Sequence, residues 1–188
     1  MRVIAGKARR LNLKTVPGMD TRPTTDRIKE TLFNILQPEL LNCHFLDLFS
    51  GSGAIGIEAL SRGAAKAVFV DNSKEALSCI RQNLEKTHLA DRAIVIGQDC
   101  AGAIHALDAK KMHFDIIFMD PPYQLNAEKE VLTAIADSKI ADEDTQIIIE
   151  ATLDREFSED ELAGFDVVRV KEYKTNKHIF LQKSSREA

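Results

Sequence analysis

The stretch Asp47-Leu48-Phe49-Ser50-Gly51-Ser52-Gly53-Ala54-Ile55-Gly56 decides the fold, because the end of an apolar run, a glycine-rich turn and the start of a helix follow in direct succession. Further short apolar runs lie downstream of this first one at 45–49, at positions 67–70, 93–96, 114–119 and 147–149. Amphipathic stretches separate the runs, at 54–61, 74–87, 101–109 and 128–137. Near-continuous apolar strands alternating with helices are typical of a parallel sheet covered on both faces.

The two ends of the chain depart from this alternation. The apolar runs 165–170 and 178–181 are joined by a short polar connection, which favours an antiparallel pair closing the sheet. Residues 2–16 are predicted to form a hairpin with a basic turn, and a helix should follow Thr24, Thr25 or Asp26 and end at Pro38. We therefore predict a basic extension over 1–40 and the main domain over 41–188.

The glycine spacing alone leaves the ligand open. Gly51-x-Gly53-x-x-Gly56, with Asp71 at the end of the next strand, matches the dinucleotide fingerprint and by itself favours an NAD enzyme. Asp47 argues against that reading, since a carboxylate beneath the turn would repel a pyrophosphate. S-adenosylmethionine carries an ammonium and a sulfonium instead, which an acid attracts. A cap or turn role for Asp47 is the structural alternative.

A set of residues around the turn and the next strand ends is predicted to bind S-adenosylmethionine. Asp71 should accept hydrogen bonds from the ribose, although it could equally cap the next helix, and Asp99 should reach the adenine amino group. Glycine is needed where the cofactor lies against the backbone. The predicted cofactor-binding residues are Asp47, Phe49, Ser50, Gly51, Gly53, Asp71, Asn72, Asp99 and Cys100.

The tetrapeptide Asp120-Pro121-Pro122-Tyr123 follows the apolar run 114–119 and carries the predicted chemistry. Two prolines stiffen the backbone and remove two donors. Asp120 and the Pro121 carbonyl could then accept hydrogen bonds from an exocyclic base amine, expose its lone pair and stabilise the charge that develops. Tyr123 offers a face for stacking an extruded base. A plain loop is the alternative, since Asp-Pro-Pro is common in turns.

Charge distribution points to a phosphate-rich partner. The 188 residues have a net charge of −4, yet basic residues dominate the first thirty positions, so a basic arm precedes an acidic body. A solvated surface segment is the alternative. The predicted nucleic-acid-binding residues are Arg2, Lys7, Arg9, Arg10, Arg22, Thr24 and Arg27.

The remaining composition bears on compartment and metals. Three separated cysteines give no pattern for a disulfide framework or a zinc site, and the five scattered histidines are interpreted as structural or surface residues, so no metal is expected. No apolar run is long enough for a membrane span, and no signal peptide is evident. The expected location is the cytoplasm.

Several stretches resemble the RsmD family of class I, S-adenosylmethionine-dependent methyltransferases. They are 2–6 with 9–11, 22–27 leading into 30–34, 45–53, 56–64 and 120–123. The resemblance implies a three-layer, Rossmann-like α/β fold with a seven-stranded, mostly parallel sheet, its last strand antiparallel, and a small N-terminal extension. It also implies methylation of guanine N2 in 16S rRNA, within a partly or fully assembled small subunit, by an enzyme expected to be a monomer. An adenine-N6 nucleic-acid methyltransferase and a non-catalytic RNA-binding assembly factor remain the alternatives.

Overall fold

A computed structural model of the protein describes residues 1–16, 26–122 and 127–185. The chain forms two compact units, Met1–Gln98 and Asp99–Ala188. The first unit contains the glycine-rich turn, and the second contains Asp120. Within the described ranges, no helix is long and apolar enough to cross a membrane.

The first unit holds three parallel strands. Strand β2 (Lys66–Asp71) pairs with β1 (His44–Leu48) on one side and with β3 (Ala93–Gly97) on the other. Helix α1 (Asp26–Leu36) precedes the strands, while α2 (Ala54–Arg62) and α3 (Lys74–Thr87) connect them. The residues of β1 and β2 are almost all buried, as the near-continuous apolar runs predict, whereas those of β3 are partly or fully exposed.

The N-terminal residues fold back on themselves, as the hairpin prediction requires, but they do not form regular strands. Arg2 and Asn12 form an isolated antiparallel bridge. The Val3 amide donates to the Leu11 carbonyl at 2.9 Å, and the Arg10 amide donates to the Val3 carbonyl at 2.9 Å. Arg10 has a φ of 73°, so the backbone turns sharply within the basic segment and regular pairing stops there.

The second unit ends in antiparallel strands. Helix α4 (Cys100–Ala109) and strand β4 (Ile116–Met119) come first, followed by α5 (Ala127–Ala136) and β5 (Gln146–Thr152), which is parallel to β4. Strand β7 (Asn176–Lys183) is antiparallel to both β5 and β6 (Phe165–Glu172). An irregularity interrupts the register of β6 between Val167 and Arg169.

The predicted fold class is confirmed, with seven strands that are parallel except for the antiparallel pairs made by β7. Helix α3 coincides with the predicted 74–87 stretch, and the other predicted elements agree within a few residues. The predicted boundary at residue 40 remains a prediction. In the structure, residues 1–16 hydrogen-bond to α2 and α3, within the same compact unit.

Candidate active site

The glycine-rich turn is anchored to the second strand by Ser50. The Ser50 amide donates to the Val70 carbonyl at 3.0 Å, and the Val70 amide donates to Ser50 Oγ at 2.9 Å. Ser50 Oγ also lies 2.6 Å from the carbonyl oxygen of Asp47. These hydrogen bonds hold the turn at the carboxyl ends of β1 and β2, and ligands bind at the carboxyl ends of parallel strands in α/β folds.

The glycines of this turn serve different purposes. A β-carbon at Gly56 would lie 2.4 Å from the ring of Phe69, so Gly56 is required for α2 to pack on β2. Gly51 and Gly53 have φ values of 54° and 77°, in the left-handed region that favours glycine. A β-carbon at Gly51 would meet no heavy atom of the described residues within 4 Å, which leaves room for a ligand to approach the backbone there.

Asp47 lies beneath this turn, in the last part of β1. The residue is 2% exposed, and its Oδ2 accepts a hydrogen bond from the Gly56 amide at 2.9 Å. Burial raises the pKa of Asp47 to about 8; the Gly56 amide opposes the shift, and the nearby Asp71 carboxylate adds to it. A cation placed near this carboxyl would favour its ionised form, whereas an anion would not.

Asp71 fixes the turn from the end of β2. Its Oδ2 accepts from the Gly51 amide and its Oδ1 from the Ser73 amide, both at 2.9 Å. The cap of α3 is Ser73, whose hydroxyl accepts from the Ala76 amide at 3.2 Å, so Asp71 is not the capping residue. Asn72 beside it is exposed and Phe49 is partly exposed. The structure brings Asp71 and Gly51 together, as the proposed ribose site requires.

Asp99 and Cys100 belong to the start of α4. Asp99 is the N-cap residue, and its Oδ1 accepts from the Gly102 amide at 2.7 Å. Cys100 is buried as the first residue of the helix. The side chain of Asp99 is exposed, so the capping carboxylate keeps acceptor capacity for a ligand amine.

The tetrapeptide begins where strand β4 ends. All four residues of β4 are buried, Asp120 is partly exposed, Pro121 is buried and Pro122 is exposed. Tyr123 lies outside the described residues, so its predicted stacking role stays a prediction. The described part places a carboxyl group and a proline carbonyl at the carboxyl end of a parallel strand, as the sequence predicts.

The predicted nucleic-acid-binding residues within the described ranges are all on the surface. Arg2, Lys7, Arg9, Arg10 and Arg27 are exposed. Arg2 Nε donates to Asp26 Oδ2 at 2.9 Å in an exposed ion pair. Arg22 and Thr24 lie outside the described residues.

The basic segment is anchored by a buried glutamate that the sequence did not reveal. Glu58 of α2 accepts hydrogen bonds from the amides of Ile4 and Ala5, at 2.8 and 3.0 Å, and from Arg62 Nε at 2.8 Å. Lys29 Nζ lies 3.3 Å from the same carboxylate, and both of these side chains are fully buried. Burial lowers the pKa of Lys29, while Glu58 opposes the shift. An acidic residue on an otherwise apolar helix was the available signal.

Two further contacts fix the segment to the first unit. Ser61 Oγ lies 2.6 Å from the Ala5 carbonyl and accepts from the Ala8 amide at 3.0 Å. The fully buried Asn83 accepts from the Lys14 amide at 2.8 Å and donates to the Ser52 carbonyl at 2.9 Å. One side chain of α3 therefore touches both the end of the basic segment and the glycine-rich turn.

Comparisons with known proteins agree on the family. The family model described as Conserved hypothetical protein 95 matches residues 1–182. A Bacillus subtilis protein named "Putative rRNA methyltransferase YlbH" is 41% identical over 172 residues, which make up 92% of this chain and 92% of that protein. An Escherichia coli protein named "Ribosomal RNA small subunit methyltransferase D" is 35% identical over 156 residues, or 82% of this chain and 76% of that protein.

A solved structure shares the whole fold. The structure described as "Putative methyltransferase yhhF from Escherichia coli" matches with a TM-score of 0.81 at 31% identity, and the match covers 99% of each chain. The similarity extends over both the glycine-rich turn and the strand that precedes Asp120.

Proposed function

This chain belongs to the family described as Conserved hypothetical protein 95, the RsmD family, and on that premise we propose that it transfers a methyl group from S-adenosylmethionine to the exocyclic N2 of one guanine in 16S rRNA. The observation that carries the proposal is Asp120-Pro121 at the end of a buried parallel strand, in a chain with relatives named as rRNA methyltransferases.

The first unit supports binding of the methyl donor. Asp47 and Asp71 place two carboxyl groups around a turn whose Gly51 leaves the backbone approachable. Acidic groups suit the ammonium and sulfonium of S-adenosylmethionine better than they suit a pyrophosphate. When bound, S-adenosylmethionine supplies an electrophilic methyl group. Asp71 would hold the ribose hydroxyls. From the second unit, whose first residue it is, Asp99 would accept from the adenine amine.

The second unit supports activation of the acceptor amine. The N2 lone pair of guanine is delocalised into the ring, so the amine is a weak nucleophile. Asp120 and the Pro121 carbonyl would accept hydrogen bonds from its two N–H groups and draw the nitrogen toward tetrahedral geometry. The same acceptors would stabilise the positive charge that develops on nitrogen. Alignment of the amine with the methyl donor supplies the rest of the catalysis.

The basic segment supports RNA binding. Arg9, Arg10 and Lys7 extend from a backbone held by Glu58 and Ser61, so their positive charges are presented by an ordered loop. Phosphate groups of rRNA would neutralise them and release counterions. We assign residues 1–40 to RNA binding and 41–188 to the methyltransferase domain. The enzyme would act in the cytoplasm as a monomer, on partly or fully assembled small subunits.

Mapping the methylated base tests the proposal. The protein is mixed with labelled S-adenosylmethionine and small subunits that lack the modification, and the labelled nucleoside is identified after digestion of the rRNA. We expect N2-methylguanosine at one position. Asp120→Asn should lower kcat strongly while the affinity for S-adenosylmethionine stays close to that of the wild type, because the proposed role of Asp120 is confined to the amine.

Each other outcome points to a different function. Label in N6-methyladenosine would replace the guanine assignment with adenine methylation. Tight RNA binding without methyl transfer would favour a non-catalytic assembly factor. Calorimetric binding of NAD in preference to S-adenosylmethionine would overturn the cofactor assignment.

A further inference from the structure

A hydrogen-bonded chain of three ionisable side chains lies in the second unit, separate from the residues assigned above. The Tyr173 hydroxyl is 3.0 Å from His178 Nδ1, and His178 Nε2 is 3.2 Å from Glu150 Oε2. His178 is fully buried and Glu150 is 4% exposed. Asn176 Nδ2 donates to the other carboxylate oxygen of Glu150 at 2.5 Å.

These three hydrogen-bonded side chains lie at the edge of the sheet where β4 ends. Met119 pairs with Ile149 in the parallel register, so Asp120 follows directly beyond this pair and Glu150 is the next residue of β5. The ring of Phe118 meets His178 edge-on, with centroids 6.0 Å apart. Phe118 and His178 therefore lie on the same face of the sheet, and Asp120 follows Phe118 by two residues, just beyond the end of β4.

Tyr173 is held at this edge by its backbone as well as by its ring. It begins the short connection between β6 and β7, and its amide donates to the Asn176 carbonyl at 2.8 Å. Its ring meets the His178 ring edge-on at 5.0 Å. Tyr173 is only partly buried, so part of the residue remains accessible to solvent.

The direction of the hydrogen bonds follows from the partner at the buried end. A carboxylate only accepts, so Glu150 requires a proton on His178 Nε2. When the imidazole is neutral, Nδ1 is then the acceptor, and the Tyr173 hydroxyl donates its only proton to it. Burial, with the Glu150 charge adding, raises the pKa of Tyr173 to about 12, so the phenol remains protonated. The phenolic oxygen is left with lone pairs only.

We propose that Tyr173 is a specificity-determining residue that accepts the N1–H of the target guanine, and that His178 and Glu150 are positioning residues that fix its hydroxyl as an acceptor. This inference rests on the proposed function and deepens it. On guanine, the N1–H donor is adjacent to the N2 amine, so the inference requires the Tyr173 hydroxyl to lie next to the proposed amine acceptors Asp120 and Pro121. On adenine, the atom adjacent to the N6 amine is N1, which is itself an acceptor. Two facing acceptors would leave lone pairs unpaired, so adenine is rejected.

A base analogue separates this role from a structural one. Small subunits are reconstituted with 16S rRNA that carries either guanosine or 2-aminopurine riboside at the mapped target position. 2-Aminopurine keeps the 2-amino group, but its N1 is an acceptor. Wild-type enzyme should prefer guanine in kcat/KM by about 10- to 100-fold, the range for one unpaired polar contact. Tyr173→Phe should lower kcat/KM for guanine by a similar factor, while 2-aminopurine changes little.

The ratio of kcat/KM for guanine to kcat/KM for 2-aminopurine is the decisive measurement. Loss of O6 in 2-aminopurine is common to every enzyme and cancels between variants, as does any loss of folded protein. His178→Leu removes the acceptor of the Tyr173 proton, so the hydroxyl can donate and the preference should shift further toward 2-aminopurine. The control Thr175→Ala, at an exposed position of the same connection, should leave the ratio at the wild-type value.

An unchanged preference for guanine in Tyr173→Phe would overturn the inference. If kcat/KM then fell equally for both bases, Tyr173 would only support the fold. Failure of the proposed function itself is distinguishable, because wild-type enzyme would then methylate neither substrate at the 2-amino group.

Discussion

If Asp47 contacts the cationic part of S-adenosylmethionine, as proposed above, cofactor binding should be proton-linked, and Asp47→Asn tests this. With its pKa raised to about 8, the buried carboxyl holds its proton in about nine-tenths of the ligand-free molecules at pH 7. A bound ammonium or sulfonium favours the carboxylate. Binding of S-adenosylmethionine should therefore expel nearly one proton at pH 7, and below pH 8 its affinity should rise by up to about tenfold per pH unit.

Titration calorimetry in buffers with different enthalpies of ionisation measures the number of protons released when S-adenosylmethionine binds. The ligand's own amino group also titrates near neutral pH, so Asp47→Asn serves as the control, because its proton balance contains only that contribution. We expect weaker binding in the variant and a proton release smaller by nearly one. Equal proton release from the two proteins would refute the assignment of Asp47 to the cationic part of the cofactor.

The stability of the ligand-free protein gives an independent measurement. Between the ordinary pKa of 3.8 and about 8, the folded protein keeps a proton on Asp47 that the unfolded chain has lost. The free energy of unfolding contributed by this group therefore falls as the pH rises through that window, by at most on the order of 5 kcal/mol. In denaturant titrations, the stability of Asp47→Asn relative to wild type should increase with pH. A constant difference from pH 4 to pH 8 would contradict the reasoning.

Three further predictions concern the N-terminal segment. In denaturant titrations, Gly6→Ala should lower the free energy of unfolding by more than about 2 kcal/mol, because the new β-carbon would lie 1.8 Å from the Ser61 carbonyl oxygen. Gly164→Ala is the control: it is also at positive φ, but its β-carbon would lie 3.9 Å from the nearest atom, so the loss should be smaller. Glu58→Gln should lower the free energy of unfolding by about 3–5 kcal/mol in the same assay, because it leaves the buried ammonium of Lys29 without its carboxylate. A loss below about 1 kcal/mol would count against a stabilising role of this ion pair. The double variant Arg9→Ala and Arg10→Ala should weaken RNA binding and reduce the slope of log K against log salt concentration by up to about 2, while the affinity for S-adenosylmethionine stays unchanged. Unchanged RNA affinity would show that the segment is not part of the RNA interface.

Backbone requirements made much of the fold and site predictable. The apolar runs of β1, β2 and β4 are buried on both faces of a parallel sheet, so their composition alone distinguishes them from the intervening helices. Gly51 and Gly53 mark positive φ values that other residues rarely adopt, so the turn after β1 was also visible. Asp71 at the strand end followed from the same spacing.

Contacts between residues far apart in the sequence could not be predicted from local sequence patterns. Glu58 meets Ile4 across 54 positions, and Asn83 meets Lys14 across 69 positions. A buried polar residue on a helix signals that a partner exists but does not identify it, because the partner is chosen by the tertiary packing. His178 was interpreted only as structural or surface, and its link from Glu150 to Tyr173 depends on the pairing of β5 with β7.

Helix α2 determines where this sequence can tolerate changes in length. The Gly56 amide in its first turn donates a hydrogen bond to Asp47, and Glu58 and Ser61 further along the helix accept hydrogen bonds from the basic N-terminal segment. One residue of α-helix corresponds to a rotation of about 100° and a rise of 1.5 Å. A single insertion or deletion between Gly56 and Glu58 would turn the glutamate away from the N-terminal segment while leaving the glycine-rich turn intact. Insertions that preserve both sets of contacts therefore have to fall outside this helix.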